Sequence, residues 1–303
     1  MKVLKLKKIP VFFFLAALPL SGYSQQEEYT AFLEHALEAA LNKDEKTFHT
    51  NLRYFSTAIE RDEITPELLT EKNFKLYSKS LYNAIVNKFK FSQELSEQAF
   101  EFLHYKIEEY PDNMASLGYL YALGIGVKQD YTIAKSWFEK AALKGQKVAM
   151  YNLGLLYING WGVESNDQKA FEWFEKSAFI EYPDAMYNLG VLYSQGRGIS
   201  KDLSAAAYWF KKAAETGMPS AMFNLAYCYY YGDGIPRDYA LAKHWLEKNL
   251  EKEENPQAMG MLAFIYRNGL QTPKDLDKAL SLYAQACSLG DNYSCDDYNK
   301  YKK

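Results

Sequence analysis

The sequence lacks the signatures of the common catalytic and metal-binding sites. It has no G-x-S-x-G, no Walker loop and no H-E-x-x-H motif. No serine is followed three residues later by lysine, the pairing that serine β-lactamases use. Only four histidines are present, and no two of them have metal-ligand spacing on one helix face. We therefore predict no catalytic residue, no metal site and no cofactor.

The sequence also lacks a basic block. Its 35 lysines and arginines are interspersed among 38 aspartates and glutamates. A nucleic-acid-binding surface normally shows clustered basic residues. We therefore expect no nucleic-acid partner.

No apolar run is long enough to cross a bilayer as a helix, which takes about 20 residues. Residues 9–20 form the most apolar stretch, but it has only about a dozen residues and contains Pro10. Four lysines precede it, and Gly22 and Ser24 are the small residues expected before a cleavage site at Gln25. This layout predicts a signal peptide over 1–24, with an uncleaved membrane anchor as the alternative. The predicted location is the periplasm or the cell exterior, without a stable membrane anchor after cleavage.

The chain contains a repeat of about 36 residues. The six letters AMYNLG occur at 149–154 and again at 185–190, and AMFNLA follows at 221–226. Aligned on the leucine of this phrase, five copies share Met three residues before it, Tyr four residues after it and Gly seven residues after it. These leucines are Leu117, Leu153, Leu189, Leu225 and Leu262.

Each copy is predicted to form two helices joined by a loop. In the first helix the apolar residues follow the i, i+3, i+4 rule, and a glycine such as Gly160 ends it. Gly118, Gly154 and Gly190 would let the two helices approach closely. An Asp or Asn then caps the second helix by accepting hydrogen bonds from free N–H groups. The predicted caps are Asp130, Asn166, Asp202, Asp238 and Asp275. Because one helical hairpin cannot bury its apolar stripe, the copies must stack into a solenoid.

The loop and second helix carry a family resemblance. The loop reads Gly-x-Gly-Val or Gly-x-Gly-Ile in four copies, for example at 160–163, and Lys-Ala-Ala occurs at 140–142 and 212–214. This pattern resembles the Sel-1-like repeat, a relative of the tetratricopeptide repeat. The resemblance implies an all-α, right-handed α-solenoid that binds other proteins as an adaptor, a scaffold or an immunity-type inhibitor of a toxic effector. Glu181, Glu253 and Gln271 depart from the pattern at glycine positions.

The chain has only three cysteines, so any disulfide framework is small. The spacing of Cys287 and Cys295 resembles that of the cysteine-rich branch of the family, and this resemblance implies a disulfide between them. Two unpaired thiols are the alternative. β-Lactam hydrolysis is ascribed to the same branch, so an enzyme acting on β-lactams or the cell wall is the alternative function. Cys228 aligns with leucines of the core stripe and is predicted to be a buried apolar residue.

One face of the first helices points away from the predicted core. On this face we predict a concave, partner-binding surface with a ladder of asparagines for a protein or peptide ligand; the alternative is that these side chains fill space between repeats. The predicted binding residues are Tyr151, Asn152, Leu155, Tyr187, Asn188, Val191, Phe223, Asn224, Tyr227 and Tyr230.

The predicted organisation has four parts. The signal peptide covers 1–24, and an N-terminal helical region covers 25–112, either as a cap or as degenerate repeats. Five repeats cover 113–292, and a capping helix covers 293–303.

Overall fold

The computed structural model describes residues 34–36, 38, 39, 42, 44, 46, 47, 111–125 and 127–302. The predicted signal peptide lies outside these residues. The chain divides into two compact units, residues 1–129 and residues 130–303. This division falls inside the first repeat, whereas the sequence pattern places a border at 112/113; the predicted domain borders stay a prediction.

The described part of the first unit is helical where helices are predicted. Residues 34–36, 38, 39, 46 and 47 are helical, within the N-terminal helical region predicted over 25–112. Helix α1, Pro111–Leu123, is the first helix of the first repeat. It ends at Gly124, whose φ of 70° is left-handed.

The second unit is a succession of helices of nearly equal length. In chain order, α2 to α11 are Tyr131–Leu143, Lys147–Asn159, Asp167–Phe179, Pro183–Gln195, Leu203–Glu215, Pro219–Tyr231, Tyr239–Leu250, Pro256–Asn268, Leu276–Ser288 and Asn292–Tyr301. The odd-numbered helices from α3 to α9 are first helices of repeats, and the even-numbered ones are second helices. The described residues contain no β-strand.

Every helix of the second unit packs against its neighbours in sequence, from α2 on α3 to α10 on α11. The aligned leucines Leu153, Leu189, Leu225 and Leu262 are all buried in these contacts. A stack in which each helical pair contacts only adjacent pairs is an α-solenoid. The predicted fold class is therefore confirmed.

The ends of the helices follow the predicted caps. Asp202 Oδ1 accepts hydrogen bonds from the backbone N–H groups of Ser204 and Ala205, at 2.9 and 3.0 Å. The other four predicted caps accept from the first turn of their own helices in the same way. At the end of α3, Gly160 has a φ of 68° and its N–H donates to the carbonyl of Leu156. Both predictions are confirmed.

Small residues bring the two helices of a repeat together. A Cβ atom built on Gly154 of α3 would lie 2.5 Å from Cε1 of Phe174, a fully buried ring of α4. Gly190 stands in the same relation to Phe210, at 2.6 Å. The two following repeats have alanine, at Ala226 and Ala263, and carry Leu246 and Tyr283 opposite. The close approach predicted at Gly154 and Gly190 is therefore confirmed.

The loops between paired helices contact the preceding repeat. A Cβ on Gly234 would overlap the carbonyl oxygen of Leu203, at the start of α6. In the last repeat Gln271 occupies the equivalent position with a φ of 49°, and its Oε1 accepts a hydrogen bond from Ala240 N–H at 3.0 Å. The departure at Gln271 therefore preserves the contact between repeats.

A disulfide joins the last two helices. The sulfur atoms of Cys287 in α10 and Cys295 in α11 are 1.96 Å apart, and the Cα atoms are 4.6 Å apart. Arg267 of α9 forms an ion pair with Asp297 of α11 at 3.2 Å. Helix α11 is thus held by one covalent and one ionic link. Cys228 is free and only 6% exposed, as predicted for a core position.

Among the residues that the structure describes, no helix has the length and apolar character needed to cross a membrane.

Candidate interaction surface

The first helices α3, α5 and α7 present an outward face without a single charged residue. We call this the uncharged face and define it by the four positions per helix that point away from the leucine stripe. Its residues are Tyr151, Leu155, Ile158, Asn159, Tyr187, Val191, Ser194, Gln195, Phe223, Tyr227, Tyr230 and Tyr231. Charged residues make up 24% of the whole sequence, so twelve neutral positions together are a marked local difference.

The second helices show the contrast. On α4, the exposed residues Lys169, Glu172 and Lys176 are charged. Lys176 Nζ lies 4.2 Å from the ring centroid of Trp173, and Lys140 and Lys248 cover Trp137 and Trp245 in the same way. Charge is therefore concentrated on the second helices.

On α3 and α5, the tyrosines of the uncharged face pack against core residues. The Tyr151 ring lies 5.6 Å from Phe174 and 5.1 Å from Tyr182. The Tyr187 ring lies 5.9 Å from Phe210. These predicted binding residues are half-buried and contact the core, so each combines packing with partial exposure.

Asn152 does not lie open on this surface. It is only 7% exposed, and its Nδ2 donates a hydrogen bond to the carbonyl oxygen of Val148 at 2.7 Å. Asn188 and Asn224, at the same position of the next two repeats, are half-buried. The proposed asparagine ladder is thus reduced to two accessible members, because packing around α3 closes over the first.

The most exposed part of the face lies on α7. Tyr227 is 42% exposed and Tyr231 is 48% exposed, with ring centroids 4.4 Å apart. Tyr230 lies 4.8 Å from Tyr231, 5.4 Å from Tyr239 and 6.0 Å from Phe264 of α9. We call Tyr227, Tyr230, Tyr231 and Phe264 the tyrosine platform.

Tyr231 and Phe264 are absent from the residues predicted from sequence. Tyr231 is the last residue of α7, and the run Tyr229-Tyr230-Tyr231 before Gly232 is the signal that could have indicated it.

Two hydroxyl groups of the platform, those of Tyr227 and Tyr230, have raised pKa values. Burial, followed by the neighbouring Tyr231 and Asp233, raises the pKa of Tyr227 above its ordinary value. Burial is also the main cause that raises the pKa of Tyr230. In the same helix, burial raises the pKa of the Cys228 thiol to about 11. Tyr227 and Tyr230 therefore act as neutral hydrogen-bond donors at physiological pH.

The described part of the chain contains no group of side chains suited to a metal ion. There, no three His, Cys, Asp or Glu side chains lie close enough to hold a metal ion. Of the four histidines, His35 and His244 are described and His49 and His104 lie outside the described residues. Cys228 is buried as a thiol.

The repeat geometry agrees with a known family. The Sel1 repeat matches at residues 114–146, 147–178, 183–218, 219–248 and 256–291, which together exceed half of the chain. The chain belongs to the Sel1 repeat family. The five matched segments coincide with the five copies recognised in the sequence, so the expected family is confirmed. No curated protein matches the sequence.

Solved structures of Sel1 repeat proteins resemble this chain. A Sel1 repeat protein from Oxalobacter formigenes is 31% identical, with a TM-score of 0.58 over 72% of this chain and 85% of that one. A protective antigen of uropathogenic Escherichia coli that displays an SLR fold is 24% identical, with a TM-score of 0.67 over 90% of this chain and 58% of that one. Helicobacter pylori cysteine rich protein B is 25% identical, with a TM-score of 0.33 over 42% of this chain and 96% of that one.

Membership has a functional consequence. Sel1 repeats form protein–protein interaction modules, and the family is generally a scaffold rather than a catalyst. The molecule is therefore read as a repeat scaffold with protein partners.

Proposed function

We propose that this Sel1 repeat protein is a non-catalytic interaction module, exported to the periplasm or the cell exterior, that binds a partner protein through the uncharged face. The observation that carries the proposal is the neutrality of this face on three consecutive first helices. Interface cores are depleted in charged residues and enriched in tyrosine and other aromatics. Neighbouring repeats of a solenoid form a continuous surface on which such an interface can extend.

Export is supported by two observations. The first 24 residues have the layout of a signal peptide. The disulfide between Cys287 and Cys295 fits an oxidising compartment, where such bonds persist. Within this proposal the role is that of an adaptor, a scaffold or an immunity-type inhibitor of a toxic effector.

The experiment is crosslinking in the producing cell. A photo-reactive benzoylphenylalanine is placed at Tyr187 or Phe223 on the uncharged face, and at Tyr208 of α6 as a control on a second helix. Tyr208 is 53% exposed, so it is no less accessible to a bystander protein. We expect the first two positions to crosslink one protein that the control does not.

Point variants then separate binding from packing. Tyr187→Ala and Phe223→Ala should weaken binding of the crosslinked partner, and a true anchor costs on the order of 2 kcal/mol or more. Leu189→Ala should instead lower the free energy of unfolding by roughly 2–5 kcal/mol, because it leaves a cavity in the core. If Tyr187→Ala lowers the melting temperature as much as Leu189→Ala and leaves affinity unchanged, the face serves packing and the proposal is wrong.

The expectation that the protein is not an enzyme has its own test. Purified protein is expected to leave β-lactams intact, because the sequence lacks the serine–lysine pairing of serine β-lactamases and no metal-binding cluster occurs among the described residues. Hydrolysis that disappears when one of its residues is substituted would establish an enzyme instead.

A further inference from the structure

The tyrosine platform offers a particular kind of chemistry. Three phenol groups lie within one helical turn at the end of α7, next to the Phe264 ring. The hydroxyl groups of Tyr227, Tyr230 and Tyr231 make no hydrogen bond with any described residue. Asn224 lies on the same helix, and Gln195 occupies on α5 the position that Tyr231 occupies on α7. The platform therefore combines aromatic surface with unused hydrogen-bond donors.

Ring contacts and buried neighbours fix the position of the platform. The Tyr230 ring packs against the rings of Tyr231, Tyr239 and Phe264, at centroid distances of 4.8 to 6.0 Å. The next residues towards the core, Leu225 and Cys228, are buried. A rigid aromatic surface loses little conformational freedom on binding, which favours tyrosine as a contact residue.

Charged groups of both signs border the platform. Arg267 lies over the Phe264 ring, 4.9 Å from its centroid, and pairs with Asp297. Arg237 donates to the carbonyl of Tyr231, and Asp233 is a neighbour of Tyr227. The four platform side chains themselves carry no charge. The platform therefore offers aromatic surface and hydroxyl donors rather than one sign of charge, and the complementary ligand is apolar in part and rich in hydrogen-bond acceptors.

Proline-rich chains meet these requirements together. Proline has a carbonyl acceptor but no N–H donor, so it matches hydroxyl donors. A polyproline II helix has no internal hydrogen bonds, which leaves its carbonyl oxygens free. It is also ordered before binding and docks on aromatic-lined surfaces in several unrelated domains.

We propose that the tyrosine platform binds a proline-rich segment of the partner in the polyproline II conformation. This inference rests on the proposed function, because it specifies what the uncharged face recognises on α7. The proline rings lie on the faces of Tyr227 and Tyr231. The tyrosine hydroxyl groups donate to the carbonyl oxygens of the segment.

The test uses decaproline as the probe on the full-length, disulfide-bonded protein. Ten residues in this conformation extend about 31 Å, which exceeds the roughly 20 Å length of α7. Binding is followed by calorimetry and by tyrosine fluorescence. A flexible decapeptide of alternating glycine and serine has the same length and no charge, and it should bind far more weakly. Because no ion pair forms, raising the salt concentration should leave the affinity unchanged.

Variants connect binding to the platform. Tyr227→Ala and Tyr231→Ala should each weaken decaproline binding by about tenfold or more. Tyr227→Phe keeps the ring and removes the donor, so we expect a smaller loss of about three- to tenfold. Tyr208→Ala removes a similarly exposed tyrosine from α6 and should change nothing. Circular dichroism and thermal melts establish that each variant is folded.

Several results would overturn the inference. One is the absence of decaproline binding at millimolar peptide, and another is equal loss with Tyr208→Ala. Binding of a neutral oligosaccharide such as maltohexaose in place of decaproline would assign the platform to glycans. Concentration-dependent dimerisation that Tyr231→Ala abolishes, without decaproline binding, would assign it to a second copy of the chain.

These failures are distinguishable from failure of the proposed function. If a protein crosslinks at Phe223 but decaproline does not bind, the proposed function stands and the proline-rich ligand is wrong. If decaproline binds and no protein crosslinks, the ligand class stands and the proposed function is wrong.

Discussion

Adding one methyl group at Gly154 tests how closely the two helices of a repeat must approach. In a helix interior, Gly→Ala normally stabilises by about 1 kcal/mol. Here the new Cβ would lie 2.5 and 2.6 Å from two carbon atoms of the Phe174 ring, which is fully buried and cannot swing out. Overpacking of a core costs about 1–3 kcal/mol. We expect Gly154→Ala to reduce stability by about 1–2 kcal/mol.

A later repeat of the same chain indicates which second substitution would relieve this overpacking. Where the small residue is Ala226, the facing residue of the second helix is Leu246. Phe174→Leu alone should destabilise by about 1–2 kcal/mol, because apolar burial is lost. In the double variant the methyl group fills the space left by the ring. The two changes should then compensate, with a coupling energy of about 1–3 kcal/mol.

The assay is a double-mutant cycle on the full chain, read from thermal and denaturant midpoints. Midpoints are preferred because repeat arrays do not always unfold in two states. Gly145→Ala serves as the control partner for Phe174→Leu: its φ of 82° makes the alanine strained, but the new Cβ meets nothing within 4 Å and so does not contact Phe174. That pair should be additive. Additivity of Gly154→Ala with Phe174→Leu to within about 0.5 kcal/mol, or a stabilising Gly154→Ala, would refute the close-approach reasoning.

Three further predictions concern the cysteines and the chain start. Burial raises the pKa of Cys228 from 9.0 to about 11. The neutral thiol therefore contributes its full stabilisation of the folded state below pH 9, and this contribution is lost as the pH rises to about 11. Across that range the free energy of unfolding should fall by about 2–3 kcal/mol more than in Cys228→Ala. Non-reducing peptide mapping should find Cys287 joined to Cys295 and Cys228 free, and three thiols that alkylate without reduction would contradict this. Mass spectrometry of exported protein should find Gln25 first, and an intact leader would refute cleavage.

Helix ends were predictable because they depend on local chemistry. An Asp or Asn cap bonds N–H groups two or three residues away, so the sequence alone predicts Asp202 and its four equivalents. Departures from the pattern were harder to interpret. Glu181 has a φ of 59°, so it adopts the left-handed conformation that Gly145 and Gly217 adopt at the same position. Tertiary packing holds Glu181 in this left-handed backbone conformation, which residues other than glycine rarely adopt.

Exposure was less predictable, because it depends on how neighbouring helices pack. Helical angles place Asn152, Asn188 and Asn224 at one position, yet only Asn152 is buried. The same angles place Leu155, Val191 and Tyr227 at one position of their helices, although only Tyr227 is exposed. A helical period indicates which residues face away from the core of their own repeat, but it carries no information about the side chains of the adjacent repeat.

The tyrosine platform keeps Tyr227 and Tyr231 exposed, although neighbouring repeats partly cover other residues of the same face. A single exposed apolar residue is ordinary in a soluble protein. Three tyrosines and a phenylalanine linked by ring contacts form a contiguous aromatic patch of the kind that marks interaction sites, with Arg267 at its border. Packing accounts for the buried part of Tyr151 and Tyr187, whose rings contact the core, and leaves the rest of each side chain accessible. It does not account for Tyr227 and Tyr231, which keep nearly half of their surface in solvent while contacting each other. On physical grounds, partner binding is therefore expected to centre on α7 rather than on the whole face equally.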